Sequence, residues 1–182
     1  MHADDERDFR EFAAARMESL RGLAYLSCGD WQVAEDAVST ALTRLYVRWR
    51  RVSAPDSYAR TMVVRAAIDE KRRPWRRERP SSNGMPDVPL DDRTADTDER
   101  LRVTAALRKV PARQRAAIVL RYYEGLSVEE TASALGCREG TVKSQTMRGL
   151  ATLRSLLSNE RIRLIERDIR EESHVVRPAG RT

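Results

Sequence analysis

Apolar residues recur along this chain at three- and four-residue intervals, the spacing of one face of an α-helix. The first stripe is Phe9, Phe12, Ala13, Met17, Leu20, Leu23 and Ala24, and it runs to Cys28. Gly29 and Asp30 interrupt it, and Asp30 can cap a second helix. That helix carries Ala34, Ala37, Val38, Ala41, Leu42, Leu45, Tyr46 and Trp49, with Gln32, Glu35, Asp36, Ser39, Thr40 and Thr43 on its other side. Residues 50–55 (RRVSAP) break the period and read as a loop. Asp56 or Ser57 then caps a third helix, through Tyr58, Met62, Val63, Ala66 and Ala67 to about Arg73, where Pro74 stops it.

The pattern resumes near Glu99, where Leu101, Ala105, Leu107 and Val110 form a helical face. Pro111 suits the first turn of the next helix, with Ala116, Ala117, Val119, Leu120 and Tyr123 as its apolar set and Gly125 as its end. Between the two helical regions, residues 80–98 hold three prolines, a glycine and five acids, with almost nothing to bury. This is a linker. The expected fold is therefore all-α: two small helical domains, 1–79 and 99–157, joined by a flexible acidic linker, 80–98. An extension, 158–182, follows. In it Ile162, Ile165 and Ile169 mark a narrow helical stripe expected to pack on the domains, and the residues from His174 onward are expected to stay disordered.

Composition narrows the function. The 182 residues carry 34 Lys and Arg against 28 Asp and Glu, a net charge of +6. The charge is segmental: residues 58–80 hold eight basic and three acidic groups, 81–98 one and five, and 99–157 eleven and five. Two basic segments flanking an acidic spacer suit two polyanion-facing modules. Two cysteines, Cys28 and Cys137, and two histidines, His2 and His174, lie far apart, so neither a disulfide framework nor a metal site is expected. No P-loop, nucleophile elbow or paired His and carboxylate appears, and an enzyme or a bound cofactor is not expected. The acidic start of the chain lacks the apolar core of a signal peptide, and no run approaches the ~18 apolar residues of a membrane span. A cytoplasmic protein without membrane contact is expected.

Residues 126–157 are the most informative. Ser127 and Glu130 form a capping box opening a short helix, Val128 to Leu135, and Gly136 can take the left-handed turn that ends it. A second helix starting near Thr141 presents Lys143, Ser144, Gln145 and Arg148 before the apolar Leu150, Leu153 and Leu156. A short helix, a Gly-containing turn and a basic, amide-bearing second helix make a helix-turn-helix, whose second helix can enter a major groove. There its amide and guanidinium groups can meet base edges.

Taken in order, AEDAVSTALTRLYVRW, a loop, a helix ending IDEKRR, a variable linker and VPARQRAAIVLRYYEGLSVEETASALGCREGTVKSQTMRGLATLR resemble the extracytoplasmic-function (group IV) sigma factors of bacterial RNA polymerase. The Arg- and Ala-rich composition resembles actinobacterial members. The resemblance spans about residues 8 to 157. It implies an alternative sigma factor whose first domain binds core polymerase and the promoter −10 element, and whose second binds the −35 element. Its implied partners are core polymerase, through the β′ clamp helices and the β flap, and promoter DNA, with an anti-sigma factor left open.

By the same resemblance, Gln32, Glu35, Asp36, Ser39 and Thr43 dock on the clamp helices, and Lys143, Ser144, Gln145, Met147 and Arg148 meet the −35 element. Arg50, Arg51 and Ser53, in the loop that captures a flipped base, and Arg60, Thr61, Arg65, Lys71, Arg72 and Arg73 meet the −10 region. Arg76 and Arg77 extend that basic run, which reads equally as solvated charge past a helix end. The acidic linker would mimic nascent RNA in the polymerase. The competing readings are a stand-alone helix-turn-helix regulator, which would need a sensory domain that residues 1–80 do not resemble, and a helical adaptor that binds protein only, against which the basic second helix speaks.

Overall fold

The computed structural model describes residues 3–70 and 94–157, and all its regular elements there are helical. Helices α1 (Ala3–Cys28), α2 (Trp31–Arg48) and α3 (Pro55–Glu70) make the first half. Helices α4 (Thr94–Lys109), α5 (Ala112–Ile118), α6 (Val128–Leu135) and α7 (Glu139–Leu156) make the second. As the sequence predicts, the Asp30 carboxylate accepts from the Val33 N–H to cap α2, after Gly29 has turned the chain at φ +73°. The expected loop at 50–55 is shorter than its sequence suggests. Trp49–Arg51 continues α2 as one 3₁₀ turn, and Pro55 opens α3, because proline is preformed for a first helical turn. Helix α4 begins at Thr94, inside the expected linker. Residues 71–93 and 158–182, which hold Lys71, Arg72, Arg73, the rest of that linker and the tail stripe, lie outside the described residues.

Leu20, Leu23, Ala24 and Cys28 of α1, Ala34, Val38, Ala41 and Leu45 of α2, and Ala59, Val63, Val64 and Ala67 of α3 are buried together. Trp49 packs edge-on against Phe9, ring centres 5.3 Å apart. The same core takes in Ala116, Val119 and Leu120 after Pro111, and Ala134 of α6. A second cluster joins Ala106, Leu107 and Val110 of α4 to Ile118, Leu150, Leu153 and Leu157, with Leu26 of α1 against it. The two halves are thus packed on each other, with the α5 segment facing both clusters.

Four apolar assignments differ from the sequence pattern, the first being Tyr46 at the end of the α2 stripe, which is exposed. In α4 the buried face is Ala106, Leu107 and Val110, with Val103 beside it, and Leu101 and Ala105 are exposed. The set read from sequence mixed two faces of the helix. At the end of α7 Leu156 is exposed, and Leu157, just past the helix, is buried in its place. Tyr123 is 58% exposed. After Ile118 the helix widens into a π turn, Val119–Tyr123, in which the Glu124 N–H donates to the Val119 carbonyl five residues back. That extra residue rotates Tyr122 and Tyr123 outward and turns Glu124 towards the first half.

One buried charge holds the halves in register. The Arg115 side chain is fully buried. Its Nε and Nη2 donate to the Ser27 and Cys28 carbonyls at the end of α1, both at 2.8 Å. Its Nη1 donates to the Leu107 and Arg108 carbonyls at the end of α4, both at 3.3 Å. The last carbonyls of a helix have no partner within it and carry the negative end of the helix dipole, so one guanidinium serves two helix ends. Burial pushes the Arg115 pKa below its ordinary value, yet an arginine stays charged at neutral pH. Arg115→Met should remove four hydrogen bonds to helix-end carbonyls and destabilise the chain by about 3 kcal/mol in urea titration.

Close helix packing depends on Gly149 as well. A Cβ there would lie 2.6 Å from Ile118 Cδ1 and 3.3 Å from the Gln114 carbonyl oxygen, so α7 touches α5 at this point. Gly149→Ala should lower stability by about 1–3 kcal/mol, despite alanine's better helix propensity, as the urea midpoint will show.

Candidate nucleic-acid and polymerase interfaces

The helix-turn-helix forms as its sequence dictates. The Ser127 hydroxyl accepts from the Glu130 N–H at 3.0 Å, while the Glu130 carboxylate accepts from the Ser127 N–H at 2.7 Å. These bonds hold the Glu130 carboxyl below the usual carboxylate range. Gly136 ends α6 in the left-handed conformation at φ +63°, its N–H bonded back to Ser133. Helix α7 starts at Glu139, two residues before the expected start, and Arg138 precedes it without a side-chain cap. Val142, Thr146, Gly149 and Leu150 form its buried side. The opposite side carries the predicted set: Met147 and Arg148 are exposed, and Lys143, Ser144 and Gln145 half-buried. The Ser144 hydroxyl donates to the Thr141 carbonyl of its own helix at 3.0 Å. This leaves Lys143, Gln145 and Arg148 as the polar groups with the longest reach.

In the first half, an open cavity of about 700 Å³ lies between the 3₁₀ turn and the start of α3. It brings together the predicted Arg51, Ser53, Thr61 and Arg65. Sequence reasoning missed its other polar members, Arg48, Ser57 and Tyr58. Ser57 and Tyr58 lie in the first turn of α3, directly after the loop that holds Ser53, which is the signal that would have found them. Cationic, hydroxyl and aromatic groups around one opening suit a nucleobase with its phosphate. Arg50 points away and pairs with Asp5 at 3.6 Å.

Arg60 and Arg65, predicted to face DNA, are engaged by the second half. Arg65 Nε donates to the Ala134 carbonyl at 2.6 Å and Nη2 to the Ser133 carbonyl at 2.8 Å, at the C-terminal end of α6. Arg60 bonds Asp56 one turn earlier, and its Nε lies 3.2 Å from the Glu124 carboxylate. Glu124 was not legible as a partner in the sequence, because only the π turn directs it there.

On α2, Gln32, Ser39 and Thr43 are exposed, and Glu35 and Asp36 are half-buried. Arg21 of α1 holds Glu35 with two contacts, at 3.0 and 3.2 Å. Glu35, Ser39 and Thr43 border a groove of about 370 Å³ between α1 and α2, floored by Phe9, Val38, Leu42 and Tyr46. Among the described residues no group of His, Cys, Asp and Glu could hold a metal ion, and no helix is long and apolar enough to cross a membrane.

Comparison with known proteins agrees with this arrangement. Residues 13–77 match the family model of sigma-70 region 2, and residues 100–153 match that of sigma-70 region 4. The chain is 34% identical over 169 residues to the RNA polymerase sigma-E factor of Streptomyces coelicolor, covering 90% of this chain and 95% of that protein. It is 33% identical over 158 residues to the ECF RNA polymerase sigma factor SigM of Mycobacterium tuberculosis, covering 85% and 80%. The fold is similar to that of the sigma factor RpoE in its complex with the anti-sigma factor NepR from Bartonella quintana. There the TM-score is 0.62 at 22% identity, over 85% of this chain and 99% of the other.

The buried setting of Glu124 makes a testable statement about charge. Desolvation raises its pKa above the usual carboxylate value, with Asp56 adding to the rise and Arg60 opposing it. A carboxyl whose folded pKa is raised binds its proton more tightly in the folded state. Its stabilising contribution is present below the unfolded pKa and is lost as pH rises through the folded one. Glu124→Gln should therefore raise the unfolding free energy from urea titration at pH 7 by less than about 1 kcal/mol, with the gain vanishing below the ordinary carboxylate range.

Two sigma-70 regions in order, matched across nearly the whole of an actinobacterial relative, together with a helix-turn-helix whose basic face is accessible, show that this chain belongs to the extracytoplasmic-function sigma factors, alternative sigma factors that direct promoter-specific transcription initiation with core RNA polymerase.

Proposed function

We propose that α7 reads the −35 element and that the α3 cavity takes a base of the melted −10 element. The observation that carries this is the division of α7. One side is locked into the protein by Val142, Gly149 and Leu150, so the other must present Lys143, Gln145, Met147 and Arg148. A helix held in this way keeps its register when it enters a groove. Arg148 and Gln145 are the base-reading candidates, Lys143 a phosphate contact and Met147 an apolar contact to a thymine methyl. Ser53, Thr61 and Arg51 offset the unstacking of a flipped base by hydrogen bonding and charge. Lys71, Arg72 and Arg73 add salt-dependent affinity for phosphates.

The polymerase-facing surface is that of Gln32, Glu35, Asp36, Ser39 and Thr43 on α2, against the β′ clamp helices, with the second domain on the β flap. An acidic and amide face suits a basic partner, since complementary charge sets orientation and on-rate. The proposed units are 1–79 and 99–157, linked by 80–98 and followed by the extension 158–182. The protein acts in the cytoplasm as a non-catalytic specificity subunit. An anti-sigma factor, such as NepR is for RpoE, would be a further partner.

In vitro transcription on genomic fragments, with start sites mapped, tests this reading. Specific starts should require both core polymerase and this chain. Tight operator binding by the free protein without any effect on polymerase would contradict it. Arg148→Ala should cost about 1–3 kcal/mol and relax preference at one base pair, whereas Lys143→Ala should weaken all promoters alike.

A further inference from the structure

Arg48, Ser57 and Tyr58 line the cavity beside α3, although none of the three was among the residues expected to meet DNA. They give it a definite chemistry. Tyr58 carries the one aromatic ring among the described residues of the lining. It is half-buried and packs against the core of the first half, so the ring is backed by protein where it borders the opening. The start of α3 that carries it is fixed as well. The Tyr58 N–H donates to the Ala54 carbonyl at 3.1 Å, and Asp56 pairs with Arg16 of α1 at 3.0 Å. Met62 follows Tyr58 by one helical turn, and Val52 adds apolar surface from the chain before α3.

The polar groups of the lining are mostly donors. Arg48 and Arg51 are exposed, and a guanidinium stays charged and only donates. Arg65, the third, is bonded to the α6 carbonyls. Ser53, Ser57 and Thr61 add hydroxyls, which both donate and accept. No carboxylate or carboxamide stands among the described residues of the lining, and the Ala54 carbonyl is already taken by Tyr58.

From this geometry we propose that Tyr58 is the platform on which the displaced −10 base stacks, and that the arginine and hydroxyl rim selects a base bearing a carbonyl oxygen over adenine. The inference deepens the reading of the α3 cavity given above and rests on it. Cytosine, thymine and guanine each carry a carbonyl oxygen, which accepts a charge-assisted bond from a guanidinium. Adenine carries none, and its exocyclic amine is a donor set among donors. That amine must turn to a hydroxyl or stay in water, while the guanidinium groups keep only ring nitrogens to donate to. The ring supplies the sequence-tolerant part of the affinity, since every base has a π face. The rim supplies the choice.

Abasic substitution separates the two parts. The holoenzyme, assembled from the full chain and core polymerase, is given promoter templates in which each non-template position of the −10 element is abasic in turn. The most sensitive position locates the captured base. The natural base there should carry a carbonyl oxygen, and adenine in its place should lower specific transcript at least about fivefold. Arg48→Met/Arg51→Met should erase most of that preference. The ratio of transcript from intact and abasic templates is then taken within each protein, so that any loss of folded chain cancels. Tyr58→Leu, which keeps an apolar side chain against the core, should lower this ratio at least about fivefold, and Tyr58→Phe, which keeps the ring, should hold most of it. An undiminished ratio in Tyr58→Leu would overturn the platform. Adenine working as well as the natural base would overturn the selection. Specific transcription in which no −10 position responds to abasic substitution would instead overturn the cavity reading, and this inference with it.

Discussion

A guanidinium buried where two helices end is the constraint on which the rest of this structure depends. Among the described residues Arg115 is the largest fully buried side chain, and its partners are backbone carbonyls of α1 and α4 rather than a carboxylate. An isolated buried charge is costly, and it persists only where its donors are satisfied. Here the acceptors are carbonyls at two helix ends, where the negative end of each helix dipole meets the guanidinium. Because one partner helix lies in each half, satisfying Arg115 fixes how the halves meet. The apolar contacts of Ala116, Val119 and Leu120 follow from that placement.

The functional surfaces inherit their geometry from this arrangement. With α5 seated on α1, the π turn aims Glu124 at Arg60, and the end of α6 arrives at Arg65. The capping box and Gly136 set α7 at a fixed angle to α6, and Gly149 lets α7 lie close on α5. The same packing that leaves one side of α7 exposed therefore brings its companion helix α6 onto α3.

Much of this was legible in the sequence because it depends on local chemistry. Asp30 as a cap, Ser127 with Glu130 as a capping box, and Gly136 as a left-handed stop each act within a few residues, and all three occur as predicted. The apolar stripes of α1 and α2 were clear for the same reason. The contact between the halves was not legible, since it joins residues from 64 (Arg60 and Glu124) to 88 (Ser27 and Arg115) positions apart. Arg115 did leave a trace. It sits beside Ala116 and one turn before Val119, on a face that is otherwise apolar, where a lone charge calls for a buried partner. Glu124 left none, because periodicity assumes 3.6 residues per turn and the π turn breaks that assumption. Leu101 and Ala105 were misplaced because a weakly patterned helix supports more than one apolar face.

The central physical claim is that the two halves form one cooperative unit through Arg115 and the core around it. Trp31, Trp49 and Trp75 all belong to the first half of the chain, so their fluorescence reports on that half, whereas far-ultraviolet circular dichroism reports on every helix. Equilibrium unfolding of the full chain in urea, followed by both signals on the same samples, measures the coupling directly. Coincident transitions with a single midpoint are expected. A tryptophan transition displaced from the dichroism transition, with a plateau between them, would show two independently folding domains and contradict the account.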